Sequence, residues 1–411
     1  MTRKLTIITI LLTILLPTIS SADLDFSGML RTYNGVGIKD GSLINNEQTF
    51  DFTVEGWKGI SHFLINPYAY IGINSEPEIG VREAYIDLYF DNADLRVGKQ
   101  AIMWGQAEGA FITDIVSPKD MRSFILADFR EIRKGVVAVK GDYYLGSFTF
   151  EGIWIPLFTG SSMPSADSIW ARSLTDKPLE IVNPEPIELS LKNSEFFGKV
   201  RYFGPAISWE LMGGYAWTDD PFIKEVTLPP PSTKAQLAYD RFGVAGGSFS
   251  TVVGNTVLRG EAAAYFNKPF TLMKPSIPIP GVEVKKLHQI QSLIGIDFSL
   301  LGIEMSTQYI LSYVHNHDDN LVELGKEVKK FDHTATFRMQ KSFLESRLTA
   351  KLFTYFEFGP FNALIRPSLS YSIEDGLLVE GGIELFIGDE KGTFGAYKDN
   401  SMGFVALRWY F

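Results

Sequence analysis

Residues 402–411 read Met-Gly-Phe-Val-Ala-Leu-Arg-Trp-Tyr-Phe and alternate between two kinds of side chain. One set, which includes Val405, Leu407 and Trp409, is apolar, whereas the other set carries the only charge, on Arg408. Strict alternation over about ten residues is the length and the period of a membrane-spanning β-strand. We therefore predict that the C-terminal segment is such a strand, with its apolar set facing lipid.

The two ends of the chain indicate the same destination. A terminal Phe after such a strand resembles the signal that outer-membrane barrels present to their assembly machinery, so we expect Phe411 to be an assembly signal and that machinery to be a partner. At the other end, two basic residues precede an apolar run over residues 5–19, and small residues stand at 20–22. This pattern predicts a secretory signal peptide over 1–22, with residue 23 as the first mature residue and the outer membrane of a Gram-negative cell as the location.

The composition excludes several classes of protein. The chain of 411 residues contains no Cys, so no disulfide framework supports it outside the cytoplasm. No mature segment approaches the ~18 uncharged apolar residues of a helical span. A net charge of -10 argues against nucleic acid as a partner. A secreted chain of this kind fits an all-β barrel with lipid outside and water inside.

Period-two segments recur along the whole mature chain and give about eighteen strand candidates. They are 24–33, 47–57, 60–73, 81–90, 93–100, 134–142, 146–154, 194–203, 206–217, 235–249, 254–266, 286–298, 301–314, 328–341, 344–358, 361–373, 377–387 and 402–411. Short and long connections alternate between them, with 359–360 as the one short link where a long one is expected. We predict a transmembrane antiparallel β-barrel of 16–18 strands over residues 23–411, with short periplasmic turns and long extracellular loops. Pro-rich stretches, such as 267–285, fall in the long loops.

Alternation also assigns each side chain to a face of the barrel. A charge at the bilayer midplane costs ~2–4 kcal/mol, so the charged parity must face the lumen. Cations of that parity gather toward the C-terminal wall, at Arg338, Arg347, Lys351, Arg366 and Arg408. Aromatic residues near strand ends suit interfacial girdles, and the candidates are Trp57, Tyr89, Trp154, Trp217 and Trp409.

The segment 101–133 is the most unusual connection. It is too long for an ordinary structureless loop, and its apolar content makes disorder a poor explanation. Such a loop needs a surface to pack on. We predict that it folds into the barrel and narrows the lumen; a folded external cap is the alternative.

A resemblance to a known family is concentrated in the same region. Leu95-Arg96-Val97-Gly98-Lys99-Gln100, Trp104-Gly105, Asp114, Pro118-Lys119-Asp120 and Arg122 look like the loop signature of porin-like outer-membrane barrels related to the alginate-export family. Trp154-Ile155-Pro156, with Phe158 and Pro164, is similar to the same group. Ser117 stands where that pattern has Asn. The similarity covers roughly 81–165 and implies an outer-membrane channel without naming a substrate.

The predicted function is passive diffusion of small solutes through a porin-like channel. The loop and the wall facing it supply the candidate residues of the pore constriction, which are Asp114, Asp120, Arg122, Asp128, Arg130, Arg347, Lys351, Arg366 and Arg408. Two other classes remain open: a substrate-dedicated transporter or export conduit for polysaccharide or hydrophobic compounds, and a surface adhesin or scaffold.

Other partners and chemistries are constrained less strongly. The expected partners are outer-membrane lipid and small-molecule solutes, and both a homotrimer and a monomer suit a barrel of this size. His315 and His317 lie with two carboxylates in one loop, but the spacing enforces no metal geometry. We therefore expect no metal, no cofactor and no enzymatic activity.

Overall fold

The structure is a computed structural model, and it describes most of the predicted mature chain. The described residues are 23–73, 75–125, 131–165, 168–171, 180–227, 234–274, 281–323 and 325–411. The predicted signal peptide over 1–22 lies outside this range, as do Asp128 and Arg130.

The described residues form strands and very little helix. In chain order the strands are β1 Asp23–Gly37, β2 Leu43–Lys58, β3 Ser61–Gly72, β4 Ser75–Phe90, β5 Ala93–Gln100, β6 Val136–Leu145, β7 Phe148–Ile155, β8 Glu180–Val182, β9 Glu195–Phe203, β10 Ile207–Trp217, β11 Phe222–Thr227, β12 Lys234–Ala238, β13 Arg241–Val253, β14 Thr256–Lys274, β15 Gly281–Leu300, β16 Ile303–Val314, β17 Leu321–Glu323, β18 Lys326–Glu327, β19 Phe331–Phe343, β20 Leu348–Phe358, β21 Asn362–Glu374, β22 Leu377–Gly388 and β23 Met402–Tyr410. Two 3-10 turns cover Leu191–Asn193 and Gly395–Asn400. Within the described part of the chain, no helix is long and apolar enough to span a bilayer.

Eighteen of these strands close into one antiparallel barrel. Each pairs with the next along the barrel, and the C-terminal strand β23 completes the ring by pairing with β1, from Met29 opposite Tyr410 to Gly37 opposite Met402. Strands β8, β11 and β12 form a separate small sheet outside the ring. The predicted architecture, including the C-terminal strand, is confirmed.

The connections alternate as the sequence predicts. Two-residue turns at 59–60, 91–92 and 146–147 lie at one end of the barrel, and long loops lie at the other. Both ends of the described chain lie at the short-turn end, because β1 begins there, with Asp23 opposite Trp57, and β23 ends there. The short link predicted at 359–360 is confirmed at the long-loop end, between β20 and β21.

One predicted loop is a strand extension instead. The sequence predicted 267–285 as a Pro-rich loop, but β14 continues to Lys274 and β15 begins at Gly281. The extended hairpin is stabilised by its own core, because Phe270 and Leu272 are buried against Val314 and Leu321. Its proline at 269 follows a register shift, where an irregular ladder tolerates a missing amide donor.

The two faces of the barrel separate as predicted. On β23 the side chains of Val405, Leu407 and Trp409 are exposed on the outer face, whereas Ala406 is buried on the inner face. The predicted aromatic girdle is wrong at Trp57 and Tyr89. Both belong to the inner face, where their rings lie 5.6 Å apart and the ring of Trp57 packs at a tilt on the buried His62 at 4.3 Å.

Candidate pore constriction

The loop 101–135 joins β5 to β6, and its first half is bound by one carboxylate on the inner face of β14. Glu261 accepts hydrogen bonds from the amide of Thr113 at 2.7 Å and from its hydroxyl at 2.6 Å. It also accepts bonds from the amides of Gln106 at 2.8 Å and Ala107 at 3.2 Å. Hydrogen bonds to an ionised acceptor are stronger than neutral ones, so Glu261 holds this segment firmly.

A glycine makes this close approach feasible. Gly105 has a φ of +83°, a conformation that costs little only for residues without a Cβ. A Cβ at this position would lie 2.7 Å from an oxygen of Glu261. The Trp-Gly pair of the sequence pattern therefore places the loop backbone directly against the wall.

The next turn of the loop contacts strands further round the barrel. Arg338 on β19 donates to Glu108 at 2.8 Å. Gln308 on β16 both accepts from the amide of Glu108 at 3.0 Å and donates to its carbonyl at 2.9 Å. The hydroxyl of Tyr355 on β20 donates to the carbonyl of Gly109. These contacts lie on three successive strands of the barrel, all on the inner face.

Apolar side chains of the loop pack against the same inner face, on strands from β6 to β15. Trp104, Ile112 and Val116 are buried in a cluster with Ile153 of β7 and Leu293 of β15. The indole of Trp104 meets the ring of Phe197 edge to face at 5.9 Å and donates to Glu151 at 2.5 Å. The loop thus has the apolar surface that its composition requires.

The second half of the loop contacts the strands near the barrel closure. Arg31 on β1 pairs with Glu131, and the hydroxyl of Ser123 donates to Glu47 on β2 at 2.6 Å. Phe124 lies within aromatic contact of Tyr397 at 4.6 Å. The described contacts of loop 101–135, including that of Arg122 with Glu78 of β4, therefore extend around the inner wall from β7 to β4.

Several residues of the loop pattern hold the loop itself together. Asp114 is 3 % exposed, accepts from the amide of Trp104 at 3.1 Å and pairs with Arg133. Ser117, which replaces the Asn of the family pattern, accepts from the amide of Ile102 at 2.8 Å. Asp114 is thus a buried support of the loop, and its carboxylate does not line open space.

Asp120 and Arg122 form a partly exposed charged group. Arg122 binds Asp120 through two nitrogens and reaches Glu78 of β4 at 2.5 Å. The hydrogen bond to Asp120 and the charges of both carboxylates raise the pKa of Arg122. Nearby, burial lowers the pKa of Lys134, which donates to the carbonyl of Gly160 at 2.9 Å.

The predicted wall cations lie at different places. Arg366 is 3.0 Å from the buried Glu384 and 3.5 Å from the carbonyl of Ile125, behind the loop. Arg408 pairs with Glu380 at 2.6 Å. Lys351 is exposed on the inner face of β20.

Arg347 is not part of this group, contrary to the prediction. It follows β19 in a short turn, where it donates to the carbonyls of Ser372 at 3.4 Å and Ile373 at 3.0 Å. The alternation on which the prediction relied does not extend into a turn. Asp128 and Arg130 lie outside the described residues.

The basic wall expected from the sequence is neutralised locally at three of its five cations, because Arg338, Arg366 and Arg408 pair with carboxylates. Other cations of the inner face also have carboxylate partners. These further pairs are Arg82 with Asp51, Arg96 with Asp87, Lys140 with Asp142, Arg201 with Glu210, and Arg259 with Asp297.

Sequence reasoning missed the residues that hold the loop. Glu261, Gln308 and Arg338 lie in strands remote from the loop in sequence, and only their inward parity was readable. The sequence shows only that each is a polar residue in the middle of a strand, at a position whose side chain faces the lumen. This pattern does not show that the residue binds the loop.

The loop 315–320 offers no metal centre in this structure. His317 contacts the carbonyl of Val328 at 2.5 Å, and Asp318 is bound to Lys285 at 3.1 Å. The described residues contain no cluster of three or more His, Cys, Asp or Glu that could hold a metal ion.

Solved structures of outer-membrane proteins share this fold along almost the whole chain. OccK8 (OprE) of Pseudomonas aeruginosa has 13% sequence identity and a TM-score of 0.54, with 95% of this chain and 98% of that chain covered. OccAB1 of Acinetobacter baumannii has 8% identity and a TM-score of 0.54, covering 95% and 96%. OccK2 (OpdF) of P. aeruginosa, solved in complex with glucuronate, has 11% identity and a TM-score of 0.54, covering 95% and 97%.

The fold is that of an outer-membrane porin barrel with eighteen strands. No family model matches the chain, and no curated protein matches it. At these identities the similarity establishes the fold alone.

Proposed function

We propose that this protein is a porin-like channel of the outer membrane, through which small solutes diffuse passively. The observation that carries the proposal is a closed barrel whose charged inner face is contacted by loop 101–135 from β7 to β4. A membrane barrel with a polar interior holds water, and the narrowest part of that interior selects what passes. The partners of such a protein are outer-membrane lipid and the solutes themselves.

The outer face supports a membrane location. Its exposed side chains include Val405, Leu407 and Trp409 of the closing strand. Placing such residues in lipid removes them from water, whereas the paired charges of the inner face stay hydrated. We infer that the chain reaches the outer membrane by the export and assembly route that its two ends indicate, as a monomer or a homotrimer. The resemblance to porins of the alginate-export group is consistent with this inference and adds no substrate.

We infer a constriction where charged loop residues meet the wall. Its described members are Asp120 and Arg122 on one side, with Lys351, Arg366 and Arg408 on the wall. We add Glu108 and Arg338, which pair across the loop-wall contact at 2.8 Å. Asp114 and Arg347 are left out because one is buried and the other lies in a turn. Asp128 and Arg130 stay predictions.

A thiol placed on the inner face tests whether solutes use the lumen. The chain contains no Cys, so Lys351→Cys introduces its only thiol. We expect a bulky anionic thiol reagent to lower the single-channel conductance of this variant by on the order of tens of per cent, because the adduct occupies the water-filled path. The measurement is planar-bilayer recording before and after the reagent is added.

The neighbouring residue supplies the control. Leu352 belongs to the opposite face of the same strand, so Leu352→Cys should leave the conductance unchanged after the same treatment. A stable current that is equally insensitive to the reagent in both variants would show that ions do not pass along this wall.

A further inference from the structure

A cavity of about 310 Å³ lies on the inner face between the beginning of loop 101–135 and the short turns. We call it the vestibule pocket and define it by its charged lining residues, which are Arg96, Lys140, Asp142, Glu151 and Arg201. They belong to four adjacent barrel strands, β5, β6, β7 and β9. Small-molecule pockets have volumes of roughly 300–1,000 Å³, so this one is suited to a small solute.

Each cation of the vestibule pocket already has a carboxylate partner. Arg96 binds Asp87 through two nitrogens, at 2.6 and 3.0 Å. Arg201 binds Glu210 at 2.7 Å, and Lys140 binds Asp142. The pocket therefore presents ion pairs in place of free positive charge.

Paired charges still offer hydrogen bonds. A guanidinium carries five N–H donors and a carboxylate about four acceptor positions, so one ion pair leaves several of them unused. A hydroxyl group both donates and accepts, and it can use these positions without separating the pair. A carboxylate solute would instead meet Asp142 and Glu151 as like charges, or would have to displace Glu210 from Arg201.

We propose that the vestibule pocket binds uncharged solutes that carry several hydroxyl groups, in preference to carboxylates. This inference rests on the proposed channel function and names its class of solute. It separates this chain from its fold neighbour OccK2, whose structure was solved with glucuronate. A polar, ion-paired pocket also disfavours a hydrophobic cargo, because the pairs would lose hydration without replacement.

Glucose and glucuronate are matched probes, because they differ only in a hydroxymethyl group against a carboxylate. Each is added to the short-turn side of a single channel in a planar bilayer, and the interruption of the potassium current is measured against concentration. We expect glucose to act at concentrations about tenfold lower than glucuronate, a ratio set by one charge-assisted contact. Stronger interruption by glucuronate in the unaltered protein would overturn the proposal.

Removing one carboxylate partner should abolish the preference. Glu210→Gln frees Arg201, so we expect glucuronate to act at about tenfold lower concentration than in the unaltered protein. Glu304→Gln is the control. It removes the same charge from the inner face of β16, outside the pocket. An equal gain in both variants would mean that the overall lumen charge governs glucuronate entry, and the pocket would be rejected.

Further results distinguish failure of the pocket from failure of the channel function on which it rests. If Glu210→Gln does not yield a folded barrel, Asp142→Asn removes the closer of the two carboxylate partners of Lys140, the other being Glu151 at 3.5 Å, and should give a gain for glucuronate in the same direction. If the unaltered protein carries no current, the channel function fails, and the pocket fails with it. A current without any effect of glucose overturns the pocket alone.

Discussion

At the scale of single residues, the loop is held by close contacts that leave no room for larger side chains. Gly105 combines a positive φ with a backbone approach to Glu261, whose carboxylate accepts four hydrogen bonds from the loop. Glycine is required at position 105 for two reasons. The positive φ is unfavourable for other residues, and a Cβ would clash with Glu261.

A substitution at Gly105 should loosen the loop. In Gly105→Ala the left-handed conformation costs about 1–2 kcal/mol, and the new methyl group pushes Glu261 away. We expect a lower Tm in detergent and larger fluctuations of the open-channel current. Gly141→Ala is the control, because its Cβ would have no neighbour within 4 Å and its φ is not in the left-handed region. Equal behaviour of the two variants would count against Glu261 as the anchor.

At the scale of elements, the long-loop end is organised by links between neighbouring connections. The extended hairpin of β14 and β15 is joined to the loop 315–320 by Lys285 and Asp318, at 3.1 Å. Hydrogen bonds from the backbone and side chain of Asn320, together with Lys285, lower the pKa of Asp318 to about 2. The charged form of Asp318 therefore stabilises this arrangement.

The sign of this shift predicts where the link fails. Because the pKa of Asp318 is lowered from an ordinary value of about 3.9, its contribution is complete above that value and disappears as the pH falls towards about 2. We expect hydrogen exchange at the Asn320 amide, corrected for its intrinsic rate, to be slow and constant from pH 8 to pH 5. Protection should decrease below about pH 4. In Asp318→Asn the decrease should be absent, since the amide does not titrate; an unchanged acid transition would assign it to another group.

At the scale of the whole molecule, the two ends of the described chain complete the barrel together. The amide of Gly28 donates to the carbonyl of Phe411 at 2.8 Å, and the amide of Phe411 donates back at 3.1 Å. A Cβ on Gly28 would overlap the ring of Phe411, so the glycine provides the space for the terminal aromatic side chain. The ring is 47% exposed and 5.2 Å from that of Trp409.

This geometry separates the stability of the barrel from its assembly. In Phe411→Ala both backbone bonds remain, and a half-exposed ring contributes at most about 1–2 kcal/mol, so we expect purified protein to refold normally in detergent. If Phe411 is the assembly signal, the amount of the Phe411→Ala protein in the outer membrane should nevertheless fall severalfold. Quantitative immunoblots of membrane fractions, with Leu407→Ala as the control on the same face, measure this. Equal amounts of both variants would remove the assembly role.

The barrel could be predicted from the amino-acid sequence, because the period of each strand is visible in that strand alone. The alternation of side chains in strands such as β4 and β23 is a local property, and so are the short turns. Each can be read from about ten residues. Prediction from local sequence failed where contacts with residues distant in the chain determined the structure. Residues 267–274 and 281–285 extend β14 and β15 because Val314 and Leu321 cover Phe270 and Leu272. Trp57 lies on the inner face against His62.

Only the tertiary structure decided what the inside of the barrel offers to a solute. Parity places Arg201 and Glu210 on one face, but only the strand register places them 2.7 Å apart and so cancels their charges locally. The same holds for Glu261, whose four loop contacts join residues more than 140 positions apart in the chain. Electrostatic fields depend on distances between strands, and a one-dimensional pattern carries no such distances.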